Sequence, residues 1–448
     1  MKNNTSISSV YFLGIGGIGM SALARYFLSI GKAVAGYDKT PSKITDDLQA
    51  LGAAIHFEDA TDAIPTSFLQ KETTLVVVTP AVPKTHVALR YFQDHDFQVM
   101  KRAEVLGLIT QHSTCLAVAG THGKTTTSCL LAHILKETQT PITAFLGGIS
   151  EDFNSNFLYT GAENSVVEAD EFDRSFLHLS PNIACITSMD ADHLDIYGTA
   201  NALTDAFKEF AELVPKNGTL IVRYGLPIAG ITYGINEGAD YDVLNVRVVQ
   251  GEYVFDVKTP TAFHSDISFG KPGRHNILNA IAAVTMAAQL AIPEADLLAA
   301  LATFKGVQRR FVYHVKRKDL VLIDDYAHHP TEIAAVYSAV REMHPGKKIT
   351  VVFQPHLFSR TKDFIQEFAA ELKRFDNIVL LPIYPAREEP IEGVTSAWLA
   401  KTMGVDNVAV VTKENCIKEL RSKPSEIIVT MGAGDIGILV NDIKNAYL

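Results

Sequence analysis

The chain has 448 residues, which at roughly 150 residues per domain points to about three domains, each able to bury its own core. Hydrophobic residues make up 47% and charged residues 20%, a globular balance that excludes a mainly disordered chain. The 40 lysines and arginines against 50 aspartates and glutamates leave a net charge of −10, scattered rather than blocked, which argues against non-specific nucleic-acid binding.

Cys115, Cys129, Cys185 and Cys416 have no C-x-x-C spacing, and the opening MKNNTSISS lacks the basic-then-apolar order of a secretory signal. No run approaches the roughly 18 uninterrupted apolar residues of a membrane span. The expectation is a reduced, cytoplasmic protein with no membrane insertion.

Short Val- and Ile-rich runs alternate with longer segments of helical period, and most runs end in Gly, Asp or Thr. That is the pattern of parallel βαβ units, so the class is α/β. The first strand, Val10 to Leu13, runs into Gly14-Ile15-Gly16-Gly17-Ile18-Gly19 at a helix start, and Asp38 follows the next strand. A Cβ here would keep a diphosphate from the backbone N–H groups at the helix N-terminus, so the glycines predict a dinucleotide-type loop. Tight strand-to-helix packing without a ligand is the plainer alternative. A nicotinamide dinucleotide and a sugar nucleotide both present a diphosphate, and the loop alone does not separate them.

The helical run around Glu104 to Ile109 stops at Gln111-His112-Ser113-Thr114, which places a first boundary at 111. A second strand, Leu116 to Ala119, opens Gly120-Thr121-His122-Gly123-Lys124-Thr125-Thr126. Backbone amides, an ammonium and a hydroxyl at one helix start make phosphate-loop chemistry, with Lys124 on the β/γ-phosphates and Thr125 on Mg²⁺. The turn is two residues shorter than the common G-x-x-x-x-G-K-[ST] form, because Val118 stands where its first glycine would be.

Two acidic clusters end later strands: Glu168-Ala169-Asp170-Glu171-Phe172-Asp173 and Asp190-Ala191-Asp192-His193-Leu194-Asp195. Mg²⁺ takes oxygen ligands, so one carboxylate near Thr125 suffices, and Glu168, first after its strand, is the candidate. Asp170, Glu171 and Asp195 read equally well as solvated loop charges or helix caps. His193 gains weight only from its acidic company.

Further on, Pro272-Gly273-Arg274 opens a helix on which His275, Asn276 and Asn279 are spaced to share one face. Arg309-Arg310-Phe311 marks a hinge and a second boundary at 311, giving domains 1–111, 112–311 and 312–448. Asp324-Asp325-Tyr326-Ala327-His328-His329 and Phe353-Gln354-Pro355-His356-Leu357-Phe358-Ser359-Arg360 end two strands of the third domain, and Ile427 to Thr430 leads into Gly432-Ala433-Gly434-Asp435. Two polar strand ends in one domain point to a binding cleft.

In this order the motifs resemble the Mur ligases over nearly the whole chain, from Gly14 to Asp435. The resemblance implies an N-terminal Rossmann-like domain for a UDP-sugar, a central P-loop ATPase-type domain and a C-terminal Rossmann-like domain for an amino acid. It also implies a cytoplasmic ATP-dependent ligase of peptidoglycan precursor synthesis, a cell-wall activity tied to cell shape and division. The branch it is most similar to joins L-alanine to the lactyl carboxylate of UDP-N-acetylmuramate through an acyl phosphate. ATP and two Mg²⁺, with Mn²⁺ as an admissible substitute, are the implied cofactors, and a monomer or homodimer the implied state.

By the resemblance, Gly14, Gly16, Gly17, Ile18, Gly19, Met20, Asp38, Thr79 and Ala81 bind the UDP-sugar. Gly120, Thr121, His122, Gly123, Lys124, Thr125, Thr126, His275, Asn276, Asn279, Arg310, Asp325 and Tyr326 bind ATP. Thr125, Glu168 and His193 hold metal, while His328, His356 and Arg360 take the amino acid. Lys124, Glu168, His193 and Arg310 carry the catalysis, with domain closure shielding the acyl phosphate from water.

Three departures stand out. Leu357 replaces an arginine that many family members carry, Thr79-Pro80 replaces a serine pair, and Lys208 lies where related ligases use a carbamylated lysine that this type is not expected to need. The rival readings are a murein-tripeptide ligase of the same fold, from the first loop alone a nicotinamide-dependent oxidoreductase, and a P-loop regulator that binds nucleotide and switches shape without chemistry.

Overall fold

A computed structural model describes residues 7–192, 194–386 and 388–447. It divides into two compact units, one of Met1–Asp242, Thr259–Thr261 and Ala280–Lys305, the other of Val243–Lys258, Ala262–Asn279 and Gly306–Leu448. The α/β class read from the sequence holds throughout.

In the first unit, β1 (Ser9–Leu13), β2 (Ala33–Tyr37), β3 (Ala54–His56), β4 (Thr74–Val78) and β5 (Gln98–Lys101) form a parallel sheet of order β3-β2-β1-β4-β5. Central β1 is buried at every position, which is why it reads as an unbroken apolar run. Leu13 lies level with Tyr37 of β2 and Val78 of β4, so Gly14, Asp38 and Thr79 leave the sheet side by side.

The same unit continues with β6 (Thr114–Ala119), β7 (Ile142–Ser150), β8 (Ser155–Tyr159), β9 (Asn164–Glu168), β10 (Ile183–Ile186), β11 (Thr219–Arg223) and β12 (Ile231–Ile235), in the order β12-β11-β10-β6-β9-β7-β8. Only β8 among these pairs antiparallel. Ala119 is level with Ile186 and Val118 with Glu168, so the register itself carries the loop after β6 past both acidic strand ends. One apolar core joins the two sheets, with Val10, Phe12 and Leu23 buried together with Ala117, Val167 and Phe207.

The strands β13 (Tyr241–Val249), β14 (Glu252–Lys258) and β15 (Phe263–Phe269) follow, β14 and β15 as an antiparallel pair. The division between the units runs through β13, after Asp242, and through the helix Arg274–Ala288, after Asn279.

In the second unit, β16 (Val312–Lys316), β17 (Val321–Asp325), β18 (Ile349–Phe353), β19 (Asn377–Leu380), β20 (Val408–Val410) and β21 (Ile427–Met431) form a sheet of order β16-β17-β21-β18-β19-β20, antiparallel only at β16. Alternate residues feed two cores: Ile323, Val351 and Val429 on one face, Leu322, Val352 and Ile428 on the other. All four cysteines are buried and outside any disulfide. Among the described residues no helix is long and apolar enough to cross a membrane.

Candidate active site

The phosphate loop is built by the end of β6 and the helix Lys124–Glu137. Gly120 (φ +130°) and Gly123 (φ +85°) take backbone conformations open to glycine, and a Cβ on Gly120 would also collide with Thr187 at the end of β10. The neighbouring strand end holds the turn: Thr121 Oγ1 donates to the Asp190 carbonyl (2.8 Å), Ser188 Oγ accepts from His122 N (2.8 Å), and Thr187 Oγ1 donates to the carbonyls of Ala119 and His122. His122 Nε2 lies 3.4 Å from the Asp190 carboxylate.

Lys124 is partnered within the protein. Its ammonium donates to the carbonyls of Gly120 (2.7 Å) and Thr121 (3.3 Å) and pairs with the fully buried Glu171 at 2.7 and 2.8 Å. Burial alone would lower the lysine pKa, but the charges of Glu171, Asp170 and Glu168 outweigh it and hold it above its ordinary value. Thr125 and Thr126 are each 8% exposed beside it. Glu168 closes β9, and its carboxylate occupies the space over Gly147 of β7 that a Cβ would fill. This cradle, with the Thr125 hydroxyl at the adjoining helix start, offers the hard oxygen donors that Mg²⁺ takes. His193 lies outside the described residues.

The first loop is held differently. Gly16 N donates to Asp38 Oδ2 (2.7 Å), and Gly14 N and Ile15 N donate to the Tyr37 carbonyl. A Cβ on Gly14 (φ +86°) would meet Thr79 Cγ2 at 2.6 Å, and one on Gly16 would meet Asp38 Oδ2 at 2.9 Å. The glycines therefore serve the protein's own packing at these points, and Asp38 braces the loop it was expected to accompany. Met20 is buried in the core; Gly17 and Ala81 are exposed, and Ile18 and Gly19 partly so.

Two residues the sequence reading missed fix this loop to the central sheet. Buried Asn156 of β8 donates to the Ile18 carbonyl and to Ser21 Oγ (2.9 Å). Arg102, packed over Gly19, lies 3.5 Å from Asp170. An asparagine in an edge strand carries no local signal of such a contact. Gly147-Gly148 inside β7 does, since glycine within a strand marks a close approach.

In the second unit, Arg309 and Arg310 both lie over the Tyr326 ring, at 5.1 and 5.0 Å. Arg309 also donates to the carbonyls of Gly432 (2.6 Å) and Gly434 (3.1 Å) and pairs with Asp324 (3.3 Å). Arg310 lies 3.7 Å from Glu332. Buried Asp325 accepts from Phe311 N (2.8 Å) and Ala327 N (2.7 Å); burial pushes its carboxyl up to about 7 against the opposing pull of Arg310.

His275 stands in the first turn of the helix that carries Asn276 and Asn279. Burial first, then the Arg310 charge, lowers its imidazole to about 4, and its ring packs at Gly273. Asn276 bonds Pro272 O (2.6 Å) and Asn279 Nδ2 reaches Asn276 Oδ1 (3.4 Å). Residues 275 and 279, four apart, and 276 and 279, three apart, are both neighbours on the helix surface.

The three residues assigned to the amino acid do gather. The rings of His328 and His356 are 5.9 Å apart, and buried Arg360 donates to His356 Nδ1 at 3.5 Å. His356 stacks on Tyr384. Leu357 (φ +70°) is buried, so its side chain packs rather than lining this cluster. Lys208 pairs with Asp205 at 3.0 Å on the exposed face of its helix.

Comparison with known proteins accords with this geometry. The family model "Mur ligase family, catalytic domain" matches residues 9–114, "Mur ligase middle domain" 118–287, and "Mur ligase, glutamate ligase domain" 309–434. A UDP-N-acetylmuramate–L-alanine ligase of Flavobacterium psychrophilum is 56% identical over 442 residues, 99% of this chain and 98% of the relative. One from Parabacteroides distasonis is 46% identical over 98% of this chain and 97% of the relative. Among solved structures, the UDP-N-acetylmuramate-alanine ligase of Thermotoga maritima superposes with a TM-score of 0.82 at 27% identity, covering 98% of this chain and 99% of that one.

Proposed function

Because the chain belongs to the Mur ligase family, we propose that it joins L-alanine to the lactyl carboxylate of UDP-N-acetylmuramate, converting ATP to ADP and phosphate. This is the first peptide step of peptidoglycan precursor synthesis. The observation that carries the reading is the 56% identity, over 99% of the chain, to a relative named for that reaction. The Lys124 loop with Glu168 beside it supports ATP as the activating substrate.

A carboxylate is too poor an electrophile for an amine, so the reaction runs in two displacements. A lactyl carboxylate oxygen attacks the γ-phosphorus of ATP; the bond to the β-phosphate oxygen breaks and ADP leaves. The neutral amine of L-alanine then attacks the acyl carbon, the amine proton departs, and the tetrahedral intermediate collapses with loss of phosphate. Both partners of the first step are anions, so positive charge placed in advance lowers its barrier. Lys124 supplies that charge at the helix start, aided by the amides of Gly120 to Lys124. When bound, Mg²⁺ supplies further neutralisation of phosphate charge, and Thr125 and Glu168 are the described residues that would hold it.

Asp38, Thr79 and the glycines of the first loop are assigned to the UDP-sugar. Asn276 and Asn279 are assigned to the adenine side with His275 near, Arg310 to the transferred phosphoryl group, and Asp325 and Tyr326 to the nucleotide. His328, His356 and Arg360 take L-alanine, the guanidinium pairing with its carboxylate. The cytoplasm is where these substrates and a protein whose four cysteines form no disulfide belong.

Phosphate release from the purified protein with ATP, Mg²⁺ and UDP-N-acetylmuramate tests the reading. Turnover that requires L-alanine and disappears in Lys124→Ala supports it. Turnover only with a murein tripeptide moves the protein to a recycling ligase, and none with either amine overturns the assignment.

A further inference from the structure

A cavity of about 320 Å³ lies within the first unit, far along the strands from both glycine loops. Its wall is assembled from strand beginnings: Ile7 precedes β1, Lys32 precedes β2, Ser113 precedes β6, and Thr143 and Ser165 are second in β7 and β9. Substrates of open parallel sheets gather at the opposite, carboxyl ends. This cavity is therefore separate from the site described above.

Most of the lining is apolar. The helix Ile18–Ser29 presents Tyr26 and Phe27, with Ile30 just beyond its end, and the helix Arg102–Thr110 presents Leu108 and Ile109. Although the chain carries a net charge of −10, no aspartate or glutamate lines the cavity among the described residues, whose basic side chains there are Lys32 and His112. Lys32 is partly exposed; its ammonium donates to the Ile7 carbonyl (2.6 Å), which leaves further N–H groups for an anion. At roughly 30 Å³ per water-sized group, the volume takes on the order of ten heavy atoms. It falls in the range of small-molecule pockets, which combine apolar walls with a few placed polar groups.

We propose that this cavity binds a small amphipathic monocarboxylic acid, its chain or ring among Tyr26, Phe27 and Ile109 and its carboxylate at Lys32 and His112. An amine of the same shape meets no acid among the described lining residues. A neutral alcohol fills the same space without the charge-assisted bond.

Calorimetric titration of the full-length protein with octanoate and with octan-1-ol decides the matter. The expected result is one octanoate per chain, with octanol weaker by roughly tenfold or more, as loss of a charge-assisted hydrogen bond implies. Lys32→Gln should bring octanoate down to the octanol level. Ala162→Trp, at an exposed position of the lining, should remove both signals, and Leu108→Trp serves as a second plug if the first lowers the unfolding midpoint. None of these residues is placed in the ligase machinery, so ATP-dependent turnover should be retained. No saturable binding up to the solubility limit of the acid, equal binding of acid and alcohol, or binding unmoved by Lys32→Gln and a folded plugging variant would each overturn the proposal.

Discussion

The two glycine loops of the first unit have the same outline, a parallel strand, a left-handed glycine and a helix start, yet they are stabilised by opposite means. The loop after β1 is neutral and is braced by one carboxylate, Asp38, on a backbone amide. The loop after β6 carries its own ammonium, sealed against the buried carboxylate of Glu171. A backbone shape that suits phosphate can thus be specified by sterics and one hydrogen bond, or by a buried charge with its counter-charge. The second solution is more sensitive to mutation, because removing either partner takes from a buried charge its nearest opposite charge.

The largest effect should come from breaking the pair. Lys124→Ala is expected to lower turnover by at least about 10²–10³-fold, the usual loss for a transition-state donor. Lys124→Met should also destabilise the fold by up to about 3–5 kcal/mol, because the buried Glu171 carboxylate then loses the Lys124 ammonium. Adding Glu171→Gln to Lys124→Met should recover most of that stability in urea unfolding while leaving turnover absent. If the double variant is no more stable than Lys124→Met, the buried charge is not what distinguishes this loop.

The glycines sharpen the comparison at a smaller scale. Gly120→Ala places a Cβ at φ +130° against Thr187 and the Ser188 backbone, 2.8 Å from Ser188 N. Strain at the dihedral and overpacking together should cost about 2–4 kcal/mol. Gly16→Ala meets side chains alone, the Asp38 carboxylate at 2.9 Å and Thr45 Cγ2 at 3.1 Å, and φ there is not left-handed. Its cost should stay near 1 kcal/mol, the net worth of the Asp38 hydrogen bond, and show mainly as a raised KM for the sugar nucleotide. Equal losses in the two variants would mean that both loops are limited by sterics alone.

Much of this was legible beforehand, and the illegible part has a pattern. The strand starts at Val10, Leu116 and Ile427 and the glycines after them were readable, because local turn geometry writes itself into local residue types. So was the gathering of His328, His356 and Arg360, through the family resemblance. What could not be read was which of several acids serves which partner. Glu168, Asp170 and Glu171 lie within four positions, and only the level pairing of Val118 with Glu168, the 3₁₀ turn at 172–178 and the burial of Glu171 send one acid over Gly147, one to Arg102 and one to Lys124. The lowered imidazole of His275 was illegible for a like reason. Its helix spacing was visible, but the Arg310 charge that lowers it comes from 35 positions along the chain.

The pairing of buried charge with nearby charge extends to the second unit through Arg310. Asp325, held at about 7 against an ordinary 3.8, contributes stability that is complete below about pH 4 and lost as pH rises through 7. His275, held at about 4 against 6.5, contributes stability that is complete above pH 6.5 and lost as pH falls toward 4. Arg310 opposes the charged imidazole and favours the charged carboxylate, so Arg310→Met should move both groups upward. The imidazole of His275, followed by NMR, should titrate nearer its ordinary value in that variant. A His275 titration unmoved by Arg310→Met would leave burial as its only cause.

The smallest effect is expected at the remaining cation that family members bring to mind, Lys208. If the charged loop is complete with Lys124, a second lysine near the acidic strand ends has no phosphate work to do. Lys208 stands on the helix Ala200–Glu212, about half exposed, with Asp205 three residues before it at 3.0 Å. A pair of that kind is worth at most about 0.5 kcal/mol, and an ammonium already in water gains nothing from carbamylation by way of desolvation. Lys208→Ala should therefore leave the urea midpoint nearly unchanged and the alanine-dependent release of phosphate intact. A large loss of turnover, restored to the variant by added short carboxylic acids, would instead place a lysine carbamate among the charges of this edge and make the loop's own cation insufficient.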